Sequence, residues 1–123
     1  QNKIKMGEEL LILIITHFAS DWLFQPAKWA VSKANNTKHR FFHCLQYVAL
    51  FVPVLYFLNI NLLWLIWIFL THFFLDDYRL VNWWNKNIKG EKNKISWLIM
   101  VEDQIFHILV LVPLILKMPL NFW

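Results

Sequence analysis

The chain has 123 residues, of which 59% are apolar and only 16% are charged. Soluble domains are about half apolar and about one quarter charged, so this composition indicates that lipid is the solvent. Aromatic residues make up 18% of the chain and only two glycines occur, which argues against a fold rich in strands and turns. The net charge of +4 comes from basic residues between apolar runs. It therefore indicates membrane topology and gives little support to nucleic-acid binding.

Four apolar runs, together with their flanks, approach the ~20 residues that cross a bilayer as a helix. They predict helices at about 8–25, 41–58, 60–79 and 96–117, within one transmembrane domain that covers residues 1–123. Backbone groups in hydrocarbon must be hydrogen-bonded within their own segment, and the runs lack the polar–apolar alternation of barrel strands. The predicted fold class is all-α: a polytopic membrane protein, a four-transmembrane-helix bundle with polar residues in the bundle core.

The connections between the runs add detail to this prediction. Pro26 ends the first run, and residues 27–32 are predicted as a short interfacial helix. Asn59 and Asn61 lie in a very tight link, so the second and third helices are expected to be antiparallel neighbours. Residues 83–94 are predicted as a polar, basic loop.

Lysine and arginine are unevenly distributed among these connections. Nine of the 12 lie in the first and third loops, three lie near the ends of the sequence, and the short middle link has none. The positive-inside rule then predicts that loops 25–41 and 78–96 are cytoplasmic and that both termini are outside. The expected location is a bacterial inner (cytoplasmic) membrane.

Ionisable side chains inside the predicted helices are the most informative residues. Several of them are four residues apart, a spacing that puts side chains on one face of an α-helix. With the predicted topology, all of them fall in the cytoplasmic half of the bundle. They are His17, Asp21, His43, His72, Asp76, Asp103 and His107. Asp77 is the alternative to Asp76 on the third helix.

These side chains are expected to face one another, because a charged side chain at the bilayer centre costs at least ~2.5 kcal/mol. Imidazole and carboxylate are ligands of Zn²⁺, Mn²⁺ and Fe²⁺, and bundle cores are a known setting for such sites. The pattern therefore predicts an intramembrane divalent-metal site built from all seven residues. Asp21 and Asp103 are also candidate catalytic residues. Residues around the ligands, or in contact with a substrate, are predicted to be Gln25, Lys28, Asp77 and Gln104.

Two other interpretations of the polar residues stay open. They could form a network of hydrogen bonds that holds the helices together, or a proton or ion path. Three functions follow: a metal-dependent hydrolase acting on a lipid or lipid-linked substrate, an ion-conducting or transport element, and a non-catalytic accessory subunit of a larger membrane complex. The expected partners are membrane lipid and either a homo-oligomer or a larger membrane complex, with no nucleic acid.

The segment HFASDWLFQPAKWA, residues 17–30, resembles the H-x-x-x-D-[FW]-x-x-Q opening of a family of small four-helix bacterial membrane proteins, domain of unknown function 3307. In that family a histidine starts the second helix, and H-x-x-x-D and D-Q-x-x-H follow. His43, the segment 72–76 and the segment 103–107 match these motifs, and Arg79 stands where a lysine is expected. The resemblance covers about 10–116 and implies the architecture and the choice of polar residues. A looser similarity is to predicted membrane-bound metal-dependent hydrolases.

Overall fold

The structure is a computed structural model that describes residues 5–90 and 96–116. In these two ranges every regular element is a helix, so the all-α prediction is confirmed. The π-helix Ala19–Leu23 directly continues the first α-helix. The α-helices are α1 (Met6–Phe18), α2 (Ala27–Ser32), α3 (Thr37–Phe57), α4 (Trp64–Leu75), α5 (Arg79–Asn87), α6 (Ser96–Leu109) and α7 (Val112–Ile115).

Two helical stretches are long and apolar enough to cross a membrane. Thr37–Phe57 has 21 residues with a mean hydropathy of 1.3, and Trp97–Ile115 has 19 residues with a mean hydropathy of 2.0. The other two predicted spans are shorter as α-helices, since α1 has 13 residues and α4 has 12. Length and apolar composition therefore single out two candidate membrane spans in the part of the chain that the structure describes.

Several helix ends differ from the predicted ends. The predicted helix 60–79 ends at Leu75, because Tyr78 adopts a left-handed backbone conformation with φ 63°. The helix α5 then includes residues 83–87 of the segment predicted as a polar loop. The predicted helix 96–117 breaks after Leu109, and Pro113 lies in the first turn of α7, where its missing N–H costs no hydrogen bond. Lys117 lies outside the described residues.

Local capping explains where α3 begins and ends. The Asn36 side chain accepts a hydrogen bond from the His39 backbone N–H at 3.1 Å, a typical N-cap. At the other end Asn59 takes a left-handed conformation with φ 57°, which reverses the chain within a few residues. As a result α4 folds back against α3, and this is the most extensive helix pair in the bundle.

The bundle has an apolar end and a polar end. In α1, α3, α4 and α6–α7, the buried apolar residues lie toward one end of the helix and the buried ionisable residues toward the other. Because neighbouring helices are antiparallel, the apolar ends pack together and the ionisable ends pack together. The apolar end is formed by Leu13, Tyr47, Phe51, Leu55, Leu58, Ile60, Trp64, Ile68, Leu111, Leu114 and Ile115. The polar end is where α2 packs on α3 and α5 packs on α6.

Candidate metal centre

Four buried side chains each direct one donor atom toward a common point. Asp21 comes from the π-helix, His43 from the second turn of α3, His72 from the last turn of α4, and Asp76 from the residue that caps α4. The four donor atoms lie within 4.8 Å of one another. All four side chains are at most 1% exposed, so their polar atoms must satisfy each other or hold a cation.

The distances between the donor atoms match the edges of a small coordination tetrahedron. His43 Nε2 lies 2.8 Å from His72 Nε2, 3.0 Å from Asp21 Oδ1 and 3.1 Å from Asp76 Oδ2. His72 Nε2 lies 3.0 Å from Asp76 Oδ2 and 3.8 Å from Asp21 Oδ1. Zinc ligands at about 2.0–2.1 Å in a tetrahedron are about 3.3 Å apart. The five distances scatter around that value, so an ion of this size fits with small shifts.

Asp76 also belongs to a second group of donors. Its Oδ1 atom lies 3.1 Å from His107 Nε2, while its Oδ2 atom faces His43 and His72. Asp103 completes this group, with its Oδ2 atom 3.6 Å from His107 Nδ1. The same His107 Nδ1 lies 2.7 Å from the Asp103 backbone carbonyl, to which it donates. A carboxylate shared between two donor groups is the arrangement of a bridging ligand.

His17 is buried beside the cluster, but both of its ring nitrogens are engaged elsewhere. Nδ1 lies 2.7 Å from the Tyr47 hydroxyl, and Nε2 lies 2.6 Å from Gln104 Oε1. Because the amide oxygen can only accept, Nε2 carries the hydrogen and Nδ1 accepts from Tyr47. The structure therefore brings His17 into neither donor group, contrary to its expected position as a ligand.

The π-helix explains why the side chains of His17 and Asp21 face different partners. Their spacing of four predicted a shared face, which holds only for a regular α-helix. The wider π turn changes the angle between them, so that His17 faces Tyr47 while Asp21 faces His43. Gln25, which was predicted to lie around the ligands, stays next to Asp21, since its side chain donates to the Asp21 backbone carbonyl at 2.8 Å.

Lys33 is a central residue of this site that the sequence did not single out. Its ammonium lies 3.1 Å from Asp21 Oδ1 and 3.3 Å from Asp76 Oδ2, and the residue is only 6% exposed. Burial alone would lower the pKa of Lys33, but the carboxylates of Asp76 and Asp21 hold it above its usual value, so the side chain stays charged. No local signal separates Lys33 from other loop lysines, since its position depends on α2 folding back onto α3.

Comparison with known proteins agrees with the motif pattern. The family model described as "Protein of unknown function (DUF3307)" matches residues 10–122. The chain belongs to the DUF3307 family. No curated protein and no solved structure gives a significant match. The family resemblance predicted from the sequence is therefore confirmed, and the three later motifs of this DUF3307 chain supply the histidines of the two donor groups.

Of the residues predicted to surround the ligands of the DUF3307 site, some lie at the cluster and others lie away from it. Gln104 reaches the cluster: its Nε2 atom lies 3.5 Å from Asp21 Oδ2 and 3.4 Å from Asp103 Oδ2. Lys28 is exposed, and Lys33 takes the position beside the carboxylates instead. Asp77 points away and accepts from the Arg79 backbone N–H at 2.9 Å.

A cleft of about 590 Å³ leads from the surface of this DUF3307 protein to the donor atoms. Its polar wall includes Asp21, Lys33 and Asp103, and its apolar wall includes Trp22 and Met100. Asp103 Oδ1 is buried and has no hydrogen-bond partner among the described residues. The cleft therefore gives a small molecule a route to one side of the cluster.

Proposed function

We propose that this DUF3307 protein is an integral membrane protein whose helix bundle holds one divalent transition-metal ion at its polar end. The ligands are His43, His72 and Asp76, with Asp21 as a fourth. The convergence of four donor atoms from three elements, at separations of 2.8–3.8 Å, carries this proposal. Zn²⁺ suits two imidazoles and carboxylates best, and Mn²⁺ and Fe²⁺ use the same donors.

The apolar outer faces of the bundle support a membrane location. Only 33% and 39% of the two long apolar stretches are buried inside the bundle, so most of their apolar surface faces outward. Large patches of this kind are rare on soluble monomers, whereas lipid solvates them without cost. Apolar side chains that are more than half exposed include Leu11, Ile15, Phe57, Ile66, Leu70, Ile105 and Leu109.

We infer four membrane spans with the metal site near the cytoplasmic leaflet. The two shorter spans, α1 with the π-helix and α4, fit a locally thinned bilayer. Basic residues support the orientation, because exposed Lys28 and Lys86 lie on α2 and α5, the helices at the polar end. In the inferred topology both of these helices face the cytoplasm of a bacterial cell, and the tight link at Asn59 faces the outside.

The arrangement suits a metal-dependent hydrolase that acts on a lipid or lipid-linked substrate. Two histidines and one carboxylate form a ligand set of catalytic zinc sites, which leave a position for water. A metal bound there would make that water ionise near neutral pH. Asp21 and Asp103 both line the cleft, so either carboxylate can accept a proton from water on that side.

Two competing functions have less support. A proton or ion path would have to cross the bundle, but the cluster ends against the apolar residues Leu13, Phe51 and Leu55 in the described part of the chain. A network held together by hydrogen bonds alone would use Lys33 as its permanent cation. That alternative makes an opposite prediction for metal content, so elemental analysis separates the two.

The metal site is tested by elemental analysis of the protein purified in detergent and loaded with zinc. We expect about one equivalent of zinc per chain, lost in His72→Ala because a buried ligand is removed. His39→Ala is the matched control, since His39 lies outside both donor groups and contacts Ser32. Wild-type protein that takes up no zinc, or His72→Ala protein that binds as much as wild type, would refute the metal site.

A further inference from the structure

Lys33 lies directly beside the position that a metal cation would need. Its ammonium contacts Asp21 Oδ1 and Asp76 Oδ2, two of the four atoms that form the donor tetrahedron. A divalent ion and an ammonium group attract the same oxygens and repel each other, strongly so where water is excluded. Metal binding should therefore displace the ammonium. Lys33 already forms part of the cleft wall, so the cleft is where it can move.

The cleft continues into an apolar groove between the π-helix region and α6. The groove has a volume of about 250 Å³ and shares Trp22, Met100 and Gln104 with the cleft. Its remaining walls are Phe18, Val101, Ile105 and Ile108. From Met100 to Ile108 the groove follows α6 for about 12 Å, at 1.5 Å per residue.

We infer that the cleft and the groove together bind one amphiphile, with its anionic headgroup held by Lys33 and its acyl chain in the groove. This inference rests on the proposed metal site, because the metal is what releases Lys33 from the two carboxylates. It names the substrate class of that site: a lipid or lipid-linked molecule with an anionic group such as a phosphate.

Charge makes the headgroup binding conditional on the metal. Without a metal, Lys33 is neutralised by Asp21 and Asp76, and Asp103 adds a further acid to the cleft wall. This surface repels anions. With a dication on the carboxylates, the displaced ammonium and the metal present positive charge to the same space.

The position of the groove favours entry of the chain from the bilayer. Val101 and Ile105 line the groove and are 44% and 51% exposed, so they face the apolar surroundings of the bundle. An acyl chain can enter sideways while its headgroup remains at the level of the cleft. A soluble anion without a chain would use only the polar half of the site.

The first test measures zinc binding and amphiphile binding in Lys33→Gln. Zinc content is determined first, and binding of dodecyl phosphate to protein released from neutral maltoside micelles is then read by native mass spectrometry. We expect Lys33→Gln to bind zinc at least as tightly as wild type, but dodecyl phosphate about tenfold or more weakly, because a charge-assisted hydrogen bond is lost. A merely structural lysine would not move these two affinities in opposite directions.

A second pair of variants tests the groove. Ile105→Trp places a larger side chain in the groove and should weaken the binding of dodecyl phosphate by about tenfold. Binding of inorganic phosphate should stay unchanged, because it does not use the groove. Ile66→Trp is the matched control, since Ile66 is 60% exposed on α4 and does not line the groove. The control should bind dodecyl phosphate like wild type.

The outcomes separate this inference from the proposed metal site. If zinc does not bind at all, the metal site is refuted and the inference falls with it. If zinc binds but dodecyl phosphate binds equally with and without zinc, or equally to Lys33→Gln, only the inference is overturned. If inorganic phosphate binds as tightly as dodecyl phosphate, the groove has no role and the amphiphile is rejected.

Discussion

At the scale of single residues, Asp76 and Tyr47 do most to organise the site. Asp76 directs one carboxylate oxygen to each donor group. The Tyr47 ring stacks on His72 with centroids 3.8 Å apart and planes 10° apart, and its hydroxyl binds His17. Stacking helps the Nε2 contacts to orient His72, since its Nδ1 atom has no hydrogen-bond partner among the described residues. Tyr47 thus aligns two histidines from different helices.

A prediction at this scale concerns Asp21. In Asp21→Asn, three ligands remain, so zinc content should stay near one equivalent, as measured by elemental analysis. Zinc-dependent hydrolysis of chromogenic phosphate and carboxylic esters should fall by about 100-fold or more, because the carboxylate that faces the reacting water is gone. Asp77→Asn is the control, since Asp77 pairs with Arg79 away from the cluster. An Asp21→Asn protein with full hydrolytic activity would contradict the role given to Asp21.

At the scale of elements, the π-helix Ala19–Leu23 is the feature that shapes the site. A π-helix amounts to one extra residue in an α-helical turn, and such insertions occur often at functional sites. Here it allows α1 to bury His17 against α3 and α6 while Asp21 reaches His43 and Lys33. The short α2 has a related role, because it brings Lys33 back over the cluster.

Deletion of Ala19 tests this element. The deletion should restore an α-helical turn and rotate α1 by about 100° relative to the following residues. Either His17 or Asp21 then loses its buried partners, at a cost of about 1–3 kcal/mol for each unsatisfied group. We expect a lower melting temperature and weaker zinc binding in a chelator competition assay. Ala19→Ser keeps the chain length and should resemble wild type; equal melting temperatures for the two variants would argue against a structural role of the π turn.

At the scale of the whole molecule, the bundle buries a polar cluster beside its apolar core, and its outer faces are largely apolar. Within the described residues, eleven buried side chains are acidic, basic or amide-bearing, whereas many leucines and isoleucines on the outer faces are exposed. Buried charges are costly unless they pair, and here they pair across the π-helix, α2, α3, α4 and α6. The eleven are His17, Asp21, Lys33, Arg40, His43, His72, Asp76, Asn85, Asp103, Gln104 and His107.

Cysteine labelling in spheroplasts tests the inferred topology. Cys44 is fully buried and is replaced by Ser to give a cysteine-free background. A membrane-impermeant maleimide should label Leu62→Cys, near the tight link, in intact spheroplasts. It should label Lys86→Cys, on α5, only after permeabilisation, because basic connections stay on the cytoplasmic side. Lys86→Cys labelled from outside would reverse the orientation, and recovery of both variants in the soluble fraction would rule out a membrane protein.

The sequence by itself determined the helical class, the family and most of the polar residues that meet at one end of the bundle. Long apolar runs that lack polar–apolar alternation favour helices, and motif spacing is a local property. The tertiary structure alone decided that His17 binds Tyr47 and Gln104, that α5 follows Tyr78, and that Lys33 joins Asp21 and Asp76. These outcomes depend on contacts between distant helices and on one π turn. A spacing of four residues reports a shared face only while the helix keeps its regular period.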